Sequence, residues 1–149
     1  MVSYIILIMN TVNVVIDTNV LISALKSSRG ASHKLLLLLV DGVFLPNISV
    51  PLFVEYESVA KRVELLGHLE KSEIDSILNY FISKSSIREI FYLWRPFLKD
   101  PKDDLVLEVA VESRSEFIIT FNKKDFSHCE KQFGIKIVTP QEFMFLMDI

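Results

Sequence analysis

Short β-branched runs alternate along the whole chain with stretches whose apolar residues recur at helical spacing. Residues 12–16 read as a buried strand that stops at Asp17, and Thr18 and Asn19 can cap a helix over 20–25. A polar turn at 26–30 leads to a helix over 32–40 that ends near Gly42. Residues 47–50 suit a second strand, and Pro51 suits the first turn of the helix behind it. Ile74, Ile77, Leu78 and Phe81 mark a further helix, residues 117–121 and 135–138 are strand-like, and 141–147 closes the chain as a helix. Buried strands alternating with helices predict an α/β domain, a parallel sheet of four to five short strands flanked by helices.

The helix over 51–66 is the most legible. Leu52, Tyr56, Val59, Val63 and Leu66 form one stripe. At about 100° per residue, Glu55 falls roughly 60° from Leu52, on the stripe's edge, and Glu57 about 140° away, on the solvent side. Glu55 leans inward.

In open parallel sheets, ligands bind outside the carboxyl ends of the strands. Asp17 ends the first strand, and Asp125 lies four residues beyond 117–121. Asp100, Asp103 and Asp104 begin the helix that leads into that strand. Asp103 stands three residues before Val106 and seven before Ala110, so it is expected on the core face, with Asp104 turned about 100° off it. Bland roles compete with this grouping. Asp103 or Asp104 can simply cap a helix and complement its dipole, Glu55 can be a solvated edge residue, and Asp125 can be a turn residue.

Composition narrows the classes. Of 149 residues, 50% are hydrophobic and 23% charged, which excludes a disordered chain. No apolar run approaches the ~20 residues that span a bilayer, and the first nine residues lack the basic start of a signal peptide. Met9 is an alternative start, which makes 1–11 an N-terminal extension and 12–149 the domain. Cys129 is the only cysteine, so no disulfide framework exists within the chain and a cytoplasmic setting is expected. Its simplest role is a small buried or semi-exposed thiol. Cys129, His33, His68 and His128 show no zinc spacing. Net charge is −3, from 16 Lys+Arg against 19 Asp+Glu, so no general basic coat can hold a polyanion.

Crowded carboxylates raise one another's pKa and cost stability unless a cation neutralises them. Oxygen-only ligands select Mg²⁺ or Mn²⁺ rather than zinc. Such an ion can orient water, lower its pKa and offset charge on a phosphodiester. That is the chemistry of a metal-dependent nuclease.

Four segments in order resemble the PIN-domain proteins: 14–21 (Val-Val-Ile-Asp-Thr-Asn-Val-Leu), Glu55-Tyr56, 100–104 (Asp-Pro-Lys-Asp-Asp) and 120–126 (Thr-Phe-Asn-Lys-Lys-Asp-Phe). The closing 137–143 (Ile-Val-Thr-Pro-Gln-Glu-Phe) is similar to the prokaryotic branch associated with toxins of toxin–antitoxin pairs. Together the likeness covers about residues 12–146. It implies a Mg²⁺ or Mn²⁺ site cleaving RNA, with Asp17, Glu55, Asp103 and Asp125 as catalytic acids and metal ligands and Asp104 beside them as a further ligand. Many members carry Asp two residues after the strand-end Thr, where this chain has Asn122, so Asn122 and Asp125 compete for the fourth place. Thr18, Asn19, Thr120 and Asn122 would hold the acids or water through hydrogen bonds.

Lys26, Arg29 and Lys34, after Asp17, and Lys123 and Lys124, beside Asp125, could pair phosphates at the same edge. Phe121, Phe126 and Trp94 could stack bases, although core packing is the expected role. Surplus apolar residues at 35–40, 74–82 and in the last helix predict a homodimer. A small antitoxin protein is the other candidate partner. Two rival functions remain: a catalytically weak or inactive module that binds RNA or protein, and aspartyl phosphotransfer by Asp17. The second lacks its acid/base partner, because Asn19 stands two residues on.

Overall fold

The computed structural model describes residues 11–62 and 66–149. Residues 1–10, including Met9, and Val63 lie outside the described residues. Five strands, β1 (Val12–Ile16), β2 (Phe44–Ile48), β3 (Ser86–Ile87), β4 (Phe117–Ile119) and β5 (Lys136–Val138), form one sheet in the order β3-β2-β1-β4-β5. Every pairing is parallel. Among the described residues seven α-helices flank it: α1 (Thr18–Lys26), α2 (Ala31–Leu38), α3 (Val50–Ala60), α4 (Lys71–Ser83), α5 (Pro101–Glu112), α6 (Ser127–Phe133) and α7 (Pro140–Met147). None of these is long and apolar enough to cross a membrane.

Burial explains the strands. Val14, Val15, Ile118 and Ile119 are fully buried, as expected where a parallel sheet is covered on both faces. β2 starts earlier than the sequence suggested and runs through Pro46. The carbonyl of Ile48 accepts from the Arg88 N–H on the β3 side, so two residues earlier the missing donor of Pro46 also faces that side. There β3 has not yet begun, because its pairing starts at Asn47. The proline therefore costs no ladder hydrogen bond. β3 itself, two residues long, carries too little pattern to be read from sequence.

Helix ends differ from expectation in physically simple ways. Asp17, not Thr18 or Asn19, caps α1, its side chain accepting from the Thr18 N–H. The helix expected over 51–66 stops at Ala60, so Leu66 is buried from outside it. Gly42 takes a left-handed φ of 66° to close the 3₁₀ turn after α2.

β1 lies between β2 and β4, so the chain winds outward in opposite directions from the β1/β4 pair. The carboxyl ends of those two strands flank the crevice where open α/β sheets take ligands.

Candidate metal centre

Asp17 stands at that crevice, only 6% exposed. Its backbone N–H donates to the Ile119 carbonyl at 2.9 Å, so the ladder of β1 and β4 carries one step further to fix it. Both carboxyl oxygens are held. The Thr18 N–H donates to Oδ1 at 2.8 Å, and Thr120 Oγ1 donates to Oδ2 at 2.8 Å. The Thr120 hydroxyl accepts from the Asn122 N–H at 3.0 Å, and Asn19 Oδ1 accepts from the Phe121 N–H at a long 3.5 Å. Of the four residues expected to support the acids, Thr18 and Thr120 bond Asp17 directly, Asn122 reaches it only through Thr120, and Asn19 bonds the backbone of Phe121 instead. Burial raises the Asp17 pKa; the bonds from Thr120 and Thr18 oppose the rise, and the charges of Asp125 and Asp100 add to it.

Tyr56, expected from its stripe only as a core residue, is a fixing group. Fully buried on α3, it donates its hydroxyl to the Ile16 carbonyl, one residue before Asp17. Burial and the nearby charge of Asp17 push its phenol pKa well up, so the hydroxyl stays protonated and the bond persists.

Asp100 caps α5 by accepting from the Lys102 N–H at 2.9 Å, which releases Asp103 and Asp104 from that duty. Their fates reverse the helical-wheel expectation. Asp104 is the buried one, 1% exposed, and its Oδ1 accepts from the Leu98 N–H at 2.8 Å. Its Oδ2 is buried with no hydrogen-bond partner among the described residues. Asp103 is half-buried and lines the same cleft as Asp17. Its pKa is pushed up to about 7, first by desolvation and then by the charges of Asp17, Asp100, Asp125 and Asp104. The wheel failed because the loop before α5 folds over the helix's first turn. Burial there follows a tertiary contact rather than the stripe of Val106 and Ala110.

The cleft encloses about 500 Å³. Lys26, Arg62, Lys102, Phe121 and Asn122 line it together with the two acids. Besides the buried Asp104, two expected members stand elsewhere. Glu55 is half-buried on α3, off the cleft wall, and its Oε1 lies 3.7 Å from Lys102 Nζ. Asp125 is exposed in the 3₁₀ turn Lys123–Phe126 and also off the wall, although its charge reaches Asp17 and Asp103. Between Asn122 and Asp125, Asn122 has the place in the cleft. Glu57, half-exposed, pairs with Lys61 at 3.6 Å.

The basic residues also divide. Lys26 lines the cleft, whereas Arg29 and Lys34 are exposed away from its walls. Lys123 Nζ is drawn to Glu142 at 3.0 Å, and with Lys124 it borders a different groove, against β5 and α7. Arg62 and Lys102 supply the charge expected of those lysines. Lys102 was already visible inside the Asp-Pro-Lys-Asp-Asp run; Arg62 was hidden by the overlong helix expected there.

Oxygen donors and mutual repulsion suit a hard cation. Among the described residues no three His, Cys, Asp or Glu side chains are grouped as a ready cage. Mg²⁺ does not require one: it commonly takes one or two carboxylates and completes its shell with waters and substrate phosphates. Asp17 and Asp103 fit that description.

A family model for the PIN domain matches residues 13–124. The chain belongs to the PIN-domain family. The match spans Asp17, Glu55, Asp103, Asp104 and Asn122 but stops one residue short of Asp125. No curated relative matches the chain. PIN domains are in general metal-dependent nucleases, and this one carries its two cleft acids on the strand end and helix start described above.

Proposed function

We propose that this PIN domain is a Mg²⁺- or Mn²⁺-dependent endoribonuclease. The observation that carries the reading is the pairing of Asp17 and Asp103 in one cleft without an internal neutraliser. Among the described residues neither acid has a salt-bridge partner. Asp17 and Asp103 would hold the ion, and Asp125 would add to the field that attracts it. A divalent cation bound there would lower the pKa of a water and offset charge on the phosphodiester. Thr18 and Thr120 keep the Asp17 carboxylate from turning, so little reorganisation is needed on binding. Lys26, Arg62 and Lys102 are placed to pair with the RNA backbone.

The test is calorimetric titration with Mn²⁺ together with cleavage of a single-stranded RNA. Saturable binding and cleavage, both lost in Asp17→Asn and Asp103→Asn, are expected. Cleavage unchanged in a folded Asp17→Asn variant would remove the mechanism.

A second reading has its own support. Asn122 occupies the cleft position where many members carry an acid, and Asp125 stays off the wall. A weak or inactive domain that binds RNA or protein without cutting follows if Mn²⁺ fails to saturate.

The single cysteine favours a cytoplasmic setting, and the segment 137–143 favours a toxin role with a small antitoxin as partner. A homodimer is supported by Leu37 and Val40 on one side and Phe145 and Leu146 on the other, all more than half exposed on elements that pack together, α2 with its 3₁₀ extension and α7. Light scattering that returns only monomer at high concentration would exclude it.

A further inference from the structure

A large aromatic ring left exposed on the wall of a charged cleft offers contact area to whatever binds there, because Phe, Tyr and Trp bury roughly 150–250 Å² each when packed and dominate interface energetics. Phe121 follows β4 directly and is 47% exposed. It lines the cleft of Asp17 and Asp103, and it is the only exposed large apolar side chain to do so among the described residues. The other apolar lining residues, Ile22 and Val59, are buried or half-buried. No ring pairs with Phe121 among the described residues, whereas Trp94 is engaged with Tyr92, Phe97 and Phe133. Phe126, the other aromatic of that segment, is fully buried.

The neighbours of Phe121 complete the picture. Two carboxylates and three cations, Lys26, Arg62 and Lys102, share the cleft with one free π-face. Cations that track a backbone beside an aromatic platform are the combination that binds single-stranded nucleic acid. A paired base offers its faces only to its own stack, so such a platform discriminates against duplex.

We propose that Phe121 is the base-stacking residue of the cleft and restricts it to single-stranded RNA, with an unpaired base on the ring and the adjoining phosphates on Lys26, Arg62 and Lys102. This rests on the reading of the cleft as an RNA site, and it assigns to Phe121 a specificity role and no part in the chemistry.

Binding in EDTA, where no strand is cut, separates the two ideas. The probes are a fluorescein-labelled 12-nucleotide oligouridylate, the same strand annealed to oligoadenylate, and an abasic ribose-phosphate strand of equal length, read by anisotropy. Wild-type protein should bind the oligouridylate more tightly than the duplex or the abasic strand. Phe121→Ala should weaken oligouridylate binding by about 5- to 100-fold and leave the abasic strand unchanged. Phe121→Leu, which keeps apolar bulk without a ring, should behave like the alanine variant, and Phe121→Trp should restore affinity. Equal oligouridylate affinity in the leucine variant and wild type would overturn the proposal, as would an equal loss on the abasic strand. If cleavage with Mn²⁺ depends on Asp17 while the Phe121 variants bind normally, only the stacking role fails. If no cleavage occurs but the stacking pattern holds, only the hydrolytic reading fails.

Discussion

Two acidic regions begin on the same turn of α5 and end in opposite conditions. On one side Glu108, nearly fully buried, is neutralised from within the chain, Arg95 gripping it through Nε at 2.6 Å and Nη2 at 3.0 Å, while beside it Asp104 takes the Leu98 N–H on Oδ1 and keeps Oδ2 without a hydrogen-bond partner among the described residues. These contacts strap the loop before α5 onto its own helix. On the other side Asp103 meets Asp17 across the cleft, and the fold answers with more negative charge, from Asp100 and Asp125. A buried carboxylate that the fold has neutralised belongs to the fold. One that it has left in repulsion calls for a cation from outside.

That contrast predicts different losses on the two sides. On the cleft side the largest effect falls on activity. Asp17→Asn should lower metal-dependent cleavage by roughly 10²- to 10⁴-fold, since several kcal/mol of charge stabilisation are at stake. Its fold should survive, because the amide oxygen can still accept from the Thr18 N–H while the amide NH2 donates to the Thr120 hydroxyl. Thr120→Val, which frees one Asp17 oxygen, should cost about 10- to 100-fold in Mn²⁺ affinity or rate. A Thr120→Val enzyme with wild-type Mn²⁺ affinity and rate would mean that Asp17 needs no such support.

On the strap side the effect falls on stability. Arg95→Ala leaves the Glu108 carboxylate buried without a partner and should cost about 2–3 kcal/mol, below the usual loss for a fully buried pair because the Arg95 side chain is 42% exposed. Glu108→Ala should cost less, about 1 kcal/mol, since Arg95 can turn to water. Urea denaturation checks the order of the two. Equal midpoints would show that the pair is not what anchors the loop.

A subtler consequence concerns pH. Asp103 titrates near 7 in the folded chain against an ordinary value of 3.8. Between those values the folded protein holds a proton that the unfolded chain has released, so metal-free stability from this group falls as pH rises through the window. Mn²⁺ bound between Asp17 and Asp103 would stabilise the charged form. The rise in Tm on adding Mn²⁺ should therefore be larger at pH 8 than at pH 5.5, and Asp103→Asn should flatten the difference. A Tm gain independent of pH would place the ion elsewhere.

The sheet, most helices and Asp17 were legible in the sequence because local pattern decides them: β-branched runs buried on both faces, and an acid where a strand stops. What remained hidden depended on contacts distant along the chain. Asp104 is covered by a loop that no helical period encodes. Lys123 is taken out of the cleft by Glu142, nineteen residues on, which also accepts from the Thr139 N–H in the capping box of α7. The end of α3 at Ala60, which brings Arg62 to the cleft, is not marked by glycine or proline. Tyr56 was seen as apolar stripe, although its hydroxyl is what ties α3 to the strand end at Ile16.

Glu55 sits between the two regions and gives the smallest and most discriminating prediction. The family resemblance makes it a metal ligand; its contact at 3.7 Å makes it the partner of Lys102, a residue of the cleft wall. As a ligand, Glu55→Gln would lower Mn²⁺ affinity and kcat. As the partner of Lys102, which is itself more than half exposed at its side chain, it would change RNA affinity only a few-fold, because exposed pairs contribute about 0–1 kcal/mol. The geometry favours the second outcome: KM for RNA shifts, kcat and Mn²⁺ affinity stay near wild type, and Lys102→Gln shows a similar KM effect that does not add to the first. Additive losses, or a Glu55→Gln variant that no longer saturates with Mn²⁺, would move Glu55 across to the unneutralised side and enlarge the metal site to three acids.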